Sequence, residues 1–270
     1  DGVAIASIIS QYTSAILVTI SLMRTSAAHR FDIKKIRVVP RFAKQIVSLG
    51  LPSSFQNSIF AVANLFIQAG VNSFDSVVVE GNSAAANADN LVYDVMAAFY
   101  TACSSFMGQN LGAGKKKRVV KSYFISLAYA FGIALVLGIC LALFGREFLS
   151  LFTKDDAVIA EAMGRLKIMA FSYCVSAFMD NTIAASRGLG KSLIPTIIVV
   201  SGSCVFRIIW IYTVFAYFHT LTSLYLLYVF SWAITAMAEI IYFAHTWRKM
   251  SDSLVDIDDV KMVSACAETA

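Results

Sequence analysis

The sequence predicts an all-α membrane protein with seven transmembrane helices, of which the last six form one six-helix bundle. First, 58% of the residues are apolar and 14% are charged, whereas a soluble domain has roughly 45–50% and about 25%. Second, the apolar residues form seven segments, each long enough at about 1.5 Å per residue to cross a hydrocarbon core of about 30 Å. Third, the basic residues lie mainly in short stretches between these segments, which is typical of membrane topology.

The seven spans follow one another along the whole chain. They are predicted at residues 2–23, 46–71, 84–107, 123–144, 162–185, 193–218 and 221–245. Pro52, near the start of the second span, is expected to bend it or to mark its first embedded turn. The fourth span carries no charge, and Gly132 and Gly138 offer points of close helix packing.

The connections between the spans carry predictions of their own. Residues 24–44 hold seven Lys or Arg, and the spacing of their apolar residues predicts an amphipathic helix on the membrane surface. Those apolar residues are Ile33, Ile36, Phe42 and Ile46. Residues 72–83 are predicted to form a loop, and residues 146–161 a short interfacial helix. The tail after Lys249 is polar and is predicted to be disordered.

The distribution of Lys and Arg predicts the orientation of the chain. Seventeen of them lie on one side of the predicted membrane and four on the other, with Arg207 inside a span. Because positive residues accumulate on the cytoplasmic side, residues 24–44, the cluster at 115–121 and the C-terminus are expected in the cytoplasm. The four on the opposite side are Arg146, Lys154, Arg165 and Lys167.

Several other classes of protein fit the sequence poorly. The net charge of +5 comes from short loops rather than from one basic face, so no nucleic-acid partner is expected. Four cysteines lie inside apolar spans without a CxxC spacing, which predicts buried small hydrophobes rather than a disulfide framework or a metal site. The first twenty residues lack a basic start and are not a signal peptide. We expect the chain to be a piece of a longer protein.

The sequence also gives little support for an enzyme. The segments GLGKS (188–192) and GAGKKK (112–117) resemble phosphate-binding loops, but Ala185 and Gln109 replace the first glycine and neither segment follows a strand. The three histidines lie at loops or span ends, and no HExxH or GxSxG motif is present. We therefore predict no catalytic residue, no metal site and no cofactor.

Polar residues inside the spans are the best candidates for a functional site. Asn57, Asn64 and Gln68 are spaced by seven and four residues, so they share one face of the second span. Intramembrane ionisable residues are functional candidates because burying a charge in lipid is costly. The predicted substrate or ion cavity residues are Asn57, Asn64, Gln68, Asn87, Asp89, Asn90, Asp94, Asp180, Arg207 and Glu239. The alternative for the amides is hydrogen bonding between helices, worth about 0.6 kcal/mol each.

Asp94 and Arg207 are predicted to form a buried electrostatic pair. Counted along their spans at 1.5 Å per residue, Asp94 lies roughly 13 Å from the outer membrane face and Arg207 about 9 Å from it. Asp180 and Glu239 lie closer to the cytoplasmic side by the same count. The alternative is that Asp94 stays unpaired and binds a cation.

Five motifs together resemble one known family. In order they are GVAIASIISQ (2–11), GLPSSFQNSIFAVANLFIQAGVNSF (50–74), AAANADN (84–90), GQNLGAGKKKR (108–118) and SRGLGKS (186–192). Their order and spacing are similar to the C-terminal half of a multidrug and toxic compound extrusion (MATE) family transporter.

The resemblance implies a division of the chain and an activity. Residues 1–23 would be the last transmembrane helix of a missing N-terminal lobe, 24–45 a cytoplasmic connection, 46–249 the C-terminal six-helix lobe and 250–270 a polar cytoplasmic tail. The whole protein would be a multi-pass antiporter of the plasma or inner membrane, which exports organic, often cationic, compounds in exchange for Na⁺ or H⁺. The expected partners are drugs, the lipid bilayer and the missing lobe.

Some expectations from the family cannot be carried onto this sequence. Some members bind a cation with two acidic residues, but the matching positions here are about Phe60 and Ser176. The coupling ion is therefore left open. Two alternatives also stay open, namely a flippase for lipid or polysaccharide precursors with a more cationic cavity, and a membrane scaffold that transports nothing.

Overall fold

The computed structural model describes residues 2–26, 30–35 and 37–252, and over these ranges the regular structure is entirely helical. Seven long helices are present. They are α1 (Gly2–Arg24), α2 (Pro40–Val71), α3 (Ser76–Gly112), α4 (Lys116–Leu149), α5 (Asp156–Gly188), α6 (Leu193–Phe218) and α7 (Leu221–Ser251). The prediction of an all-α membrane protein is confirmed. The predicted disordered tail lies outside the described residues.

Six of these helices, α1, α2, α4, α5, α6 and α7, are long and apolar enough to cross a membrane. The predicted third span is present as α3, a helix of 37 residues that measures about 55 Å at 1.5 Å per residue. Its polar residues leave it outside the set of six defined by length and composition. The chain is accordingly a multi-pass membrane protein.

The chain divides into two compact units, Asp1–Ile46 and Val47–Ala270. In the first unit the side chains of α1 are exposed from Ile5 to Arg24. The predicted surface helix in residues 24–44 does not form as a separate helix in the described residues, and Ile36 lies outside them. Ile33–Lys35 form a single 3₁₀ turn, and Phe42 and Ile46 belong to α2, which begins at Pro40. Proline suits the first position of a helix and disfavours a helical residue before it, so α2 starts there.

The connections in the second unit are shorter than predicted. The Asp75 side chain accepts a hydrogen bond from the Val78 amide at 3.0 Å, which caps α3 and begins it within the predicted 72–83 loop. No separate interfacial helix forms at 146–161. Instead α4 continues past a non-helical residue, Phe144, to Leu149, and Asp155 caps α5 by accepting from the Ala157 amide at 2.8 Å.

Helix α5 is the centre of the second unit and packs against α3, α4 and α7. Two thirds of its most apolar stretch is buried, which is more than in any other of the six apolar helices. Small residues permit this close packing. At Gly138 of α4, a Cβ atom would lie 2.3 Å from the Ala170 carbonyl oxygen of α5.

Helix α6 has an irregular backbone in its middle. Two π-helical stretches, Val200–Val205 and Ile211–Phe215, flank the α-helical segment Phe206–Trp210, which carries Arg207. Such wide turns are frequent at functional sites. Arg207 therefore lies between two departures from regular helix geometry.

Candidate functional site: a polar cavity inside the helical lobe

A cavity of about 330 Å³ opens between the helices of the second unit. This volume lies at the lower end of the range for ligand pockets. Residues from α2, α3, α5, α6 and α7 line it. Its polar and charged lining residues are Asn64, Asp89, Asn90, Arg165, Ser176, Asp180 and Arg207, and its aromatic ones are Phe60, Tyr93, Tyr100, Tyr228 and Trp232.

One wall of the cavity is a buried ion pair between α3 and α5. Arg165 donates from Nη2 to Oδ2 of Asp89 and from Nη1 to Oδ1 of Asn82. The other carboxylate oxygen of Asp89 accepts a hydrogen bond from the Tyr173 hydroxyl. All four residues are buried. Because Arg165 and Asp89 carry opposite charges, this wall adds no net charge to the cavity.

Arg207 lies on another wall and has no acidic partner within ion-pair distance among the described residues. Its side chain is 2% exposed. Nε donates to Ser231 Oγ at 3.2 Å and Nη1 donates to Asn64 Oδ1 at 3.4 Å, whereas Nη2 has no hydrogen-bond partner. The guanidinium carbon lies over three aromatic rings. Its distance to the ring centroid is 5.4 Å for Phe60, 4.7 Å for Tyr228 and 5.9 Å for Trp232. Cation–π attraction to these rings partly replaces the missing anion.

Asp180 supplies the unpaired negative charge of the cavity. Its Oδ2 accepts a hydrogen bond from Ser176 Oγ at 2.7 Å. It forms no ion pair with Arg207, although both residues line the same space. The cavity therefore presents one accessible carboxylate, one guanidinium enclosed by rings, and several aromatic faces.

The structure brings together half of the residues predicted from the sequence. The five that line the cavity are Asn64, Asp89, Asn90, Asp180 and Arg207. Of the others, Asn57 and Asp94 are exposed outside it. Gln68 donates to Asn72 Oδ1 at 2.8 Å, and Asn87 donates to the Ser83 carbonyl at 3.2 Å. Glu239 is fully buried, and neither of its carboxylate oxygens has a hydrogen-bond partner among the residues that the structure describes.

The predicted pairing of Asp94 with Arg207 is wrong. Asp94 is exposed and forms no ion pair with Arg207. Asp94 lies five residues after Asp89, which at 3.6 residues per turn turns its side chain about 140° away around α3. The two residues were predicted at a similar depth in the membrane, but depth does not fix the direction in which each side chain points.

The ion-pair partner of Asp89 was not predicted from the sequence. Arg165 was assigned to the outer side of the membrane in the charge comparison, but it is 7% exposed and lies inside the bundle. One signal was present in the sequence. Asn82 and Asp89 are seven residues apart and therefore share a face of α3, where a buried cation can bind both.

Two neutral residues were expected from the resemblance at about the positions of a cation-binding acidic pair. Phe60 and Ser176 both line the cavity. Ser176 lies one turn before Asp180 and hydrogen-bonds to it. Among the residues that the structure describes, no group of three or more His, Cys, Asp or Glu side chains is arranged to hold a metal ion.

Comparisons with known proteins agree with this architecture. The chain is 24% identical over 208 residues to a probable multidrug resistance protein NorM of Thermotoga maritima. These aligned residues cover 73% of this chain and 42% of that protein. It is 29% identical over 129 residues to an FAD transporter of Shewanella oneidensis, covering 48% and 28%. The chain thus spans half or less of the length of these curated relatives.

The fold is shared with a solved transporter structure. An outward-facing multidrug resistance MATE family transporter of the MOP superfamily superposes with a TM-score of 0.81 at 18% identity, over 92% of this chain and 56% of that one. The MatE family model matches residues 52–213, which is more than half of the 270 residues. The chain therefore belongs to the MatE family.

Proposed function

We propose that this chain forms one lobe of a secondary active multidrug antiporter. The complete protein would lie in the plasma or inner membrane with its C-terminus in the cytoplasm, and would export organic, often cationic, compounds in exchange for Na⁺ or H⁺. Relatives named multidrug resistance proteins in Thermotoga maritima and Pseudomonas aeruginosa support this proposal. Alternating access would require the partner lobe, since such transporters work by rocking one repeat or bundle against the other.

The observation that carries the proposal is the lining of the central cavity. Asp180 offers a carboxylate that forms no ion pair with the described residues, and Tyr93 and Tyr100 offer aromatic rings. A planar organic cation gains both from a carboxylate and from π faces. Exchange follows if the drug and the coupling ion compete for Asp180, because occupation by one then excludes the other.

The test compares two aspartates that differ in position. In the full-length transporter, Asp180→Asn should weaken binding of ethidium, used as a planar aromatic cation, by about tenfold or more, which corresponds to about 1.4 kcal/mol. Asp94→Asn removes the same charge from an exposed position outside the cavity and should leave binding unchanged. Equal effects of the two substitutions at equal amounts of folded protein would contradict the proposal.

Transport of an organic anion is the second candidate. Arg207 Nη2 lacks a hydrogen-bond partner, and one relative is named an FAD transporter. In this case riboflavin 5′-phosphate should bind better than ethidium, and Arg207→Gln should abolish the preference. The flippase alternative expects a more cationic cavity, whereas Asp89 and Asp180 balance Arg165 and Arg207 here. A scaffold would show no ion-dependent flux of either compound.

A further inference from the structure

Two further cavities adjoin each other along α3 and α4, away from the central cavity. The larger one has a volume of about 620 Å³ and is lined by three basic residues, Lys115, Arg118 and Lys121. None of them forms an ion pair with a carboxylate in the described part of the chain. Gln109 and Asn110 add amide groups to the same wall. This basic mouth offers an uncompensated positive charge of three.

An apolar groove of about 300 Å³ continues from the basic mouth. The two cavities share Phe106, Ser122 and Ile125. Phe106 is 57% exposed and Ile125 is 45% exposed, so the floor of the groove is an uncovered apolar surface. At its far end the rings of Phe99 and Tyr129 stack with centroids 6.0 Å apart.

The groove runs along the helices rather than across them. It passes from residue 106 back to residue 99 on α3 and from 122 forward to 129 on α4. Each of these steps covers seven residues, or about 10 Å at 1.5 Å per residue. A ligand that fills both parts therefore needs a negatively charged end, followed by an apolar chain directed along the membrane normal.

We propose that this cleft binds an anionic phospholipid, with the phosphate in the basic mouth and an acyl chain in the apolar groove. Basic pockets between transmembrane helices on the cytoplasmic side suit anionic head groups, and the cluster at 115–121 lies on the predicted cytoplasmic side. A drug-like cation is disfavoured by the three positive side chains. The cleft shares no lining residue with the central cavity, so the proposal goes beyond the proposed transport function.

The experiment measures lipid binding directly, so its result is independent of drug export. Full-length transporter in detergent is titrated with dioleoyl phosphatidylglycerol, dioleoyl phosphatidylcholine and sn-glycerol 3-phosphate. We expect the phosphatidylglycerol lipid to bind at least tenfold more tightly than the other two. The double variant Arg118→Gln/Lys121→Gln should remove this preference, whereas the control Lys154→Gln/Lys167→Gln, which changes two exposed basic residues outside the cleft, should keep it.

A second variant tests the apolar part of the cleft. Ala102→Phe places a ring in the groove and should weaken phosphatidylglycerol binding severalfold while leaving the weak binding of glycerol 3-phosphate unchanged. Equal binding of the two lipids would overturn the proposal. So would equal binding of glycerol 3-phosphate and phosphatidylglycerol, which would indicate a free-phosphate site. A Phe106→Cys variant labelled with benzophenone maleimide is then illuminated. Its crosslinking to another segment of the transporter would show that protein covers the cleft, and would also refute a lipid there.

Discussion

Breaking the Asp89–Arg165 pair should destabilise the lobe far more than breaking an ion pair on the surface. Asp89→Asn removes the anion but leaves Arg165 buried against Asn82 and between the rings of Tyr225 and Tyr228, 5.6 Å and 5.8 Å from its guanidinium carbon. Removing one member of a buried pair typically costs about 3–5 kcal/mol, because the remaining charge has no compensating partner. Arg165→Met should cost a similar amount by leaving Asp89 with the Tyr173 hydroxyl alone.

The double variant Asp89→Asn/Arg165→Met should lose less stability than the sum of the two single variants. With both charges gone, neither residue is left as an unpaired buried ion. Contacting residues show coupling of about 0.5–3 kcal/mol, and we expect a value near the upper end. The remaining loss in the double variant would come from the hydrogen bonds of Asn82 and Tyr173.

The chain offers a matched control for this cycle. Arg146 and Asp156 form an ion pair at 2.7 Å, but their side chains are 68% and 82% exposed. Exposed pairs contribute about 0–1 kcal/mol, so Asp156→Asn should have little effect. The measurement is an unfolding titration of full-length transporter with SDS, read by size-exclusion profile. Single-variant losses at Asp89 no larger than at Asp156, or strictly additive losses in the cycle, would refute the reasoning.

Three further predictions concern packing, charge burial and substrate choice. Gly138→Ala should lower the SDS concentration at which the lobe unfolds because the added Cβ meets a carbonyl oxygen at 2.3 Å, whereas Gly132→Ala, with no atom within 4 Å, should be neutral or slightly stabilising. Glu239→Gln should not lower that SDS concentration, since neither carboxylate oxygen has a hydrogen-bond partner and an amide is cheaper to bury than a charge; a loss comparable to that of Asp89→Asn would contradict this. Asn64→Leu should change the ranking of exported drugs in an efflux assay with equal amounts of protein. Asn57→Leu, which lies outside the cavity, should not change it. Identical rankings for the two variants would argue against a role for Asn64 in the cavity.

The fold could be predicted from the sequence because the spans are set by local hydrophobicity. Seven helices were expected, and the bounds 193–218 agree with those of α6. Loop positions were predicted less well. The charged residues at the ends of α4 and α5 were predicted to lie in connecting segments. Helices in a membrane protein, however, extend beyond the hydrocarbon core and can carry charge there. The caps at Asp75 and Asp155 mark the true starts of α3 and α5.

The candidate site was only partly predictable because residue depth is easier to infer than side-chain direction. Heptad and i,i+4 spacing identified Asn64 as a member of a polar face, but the same rules included Asn57, which is exposed elsewhere. Helix packing decides which stripe of α2 faces inwards, and no local pattern encodes that choice. Arg165 was not predicted as a site residue because a basic residue near a span end is usually assigned to the aqueous side.

The central claim is that the cavity between α2, α3, α5, α6 and α7 is the site where the transporter binds its substrate. The most direct measurement uses single-cysteine variants of full-length protein in proteoliposomes, labelled with a membrane-impermeant maleimide. The account predicts that Asn90→Cys, in the cavity, reacts and is protected by ethidium. Phe171 is 70% exposed on α5, outside the cavity and inside the predicted span 162–185. Because lipid would surround it there, Phe171→Cys should react slowly with the impermeant maleimide and show no protection. Labelling at residue 90 that ethidium leaves unchanged, while ethidium is still bound, would contradict the account.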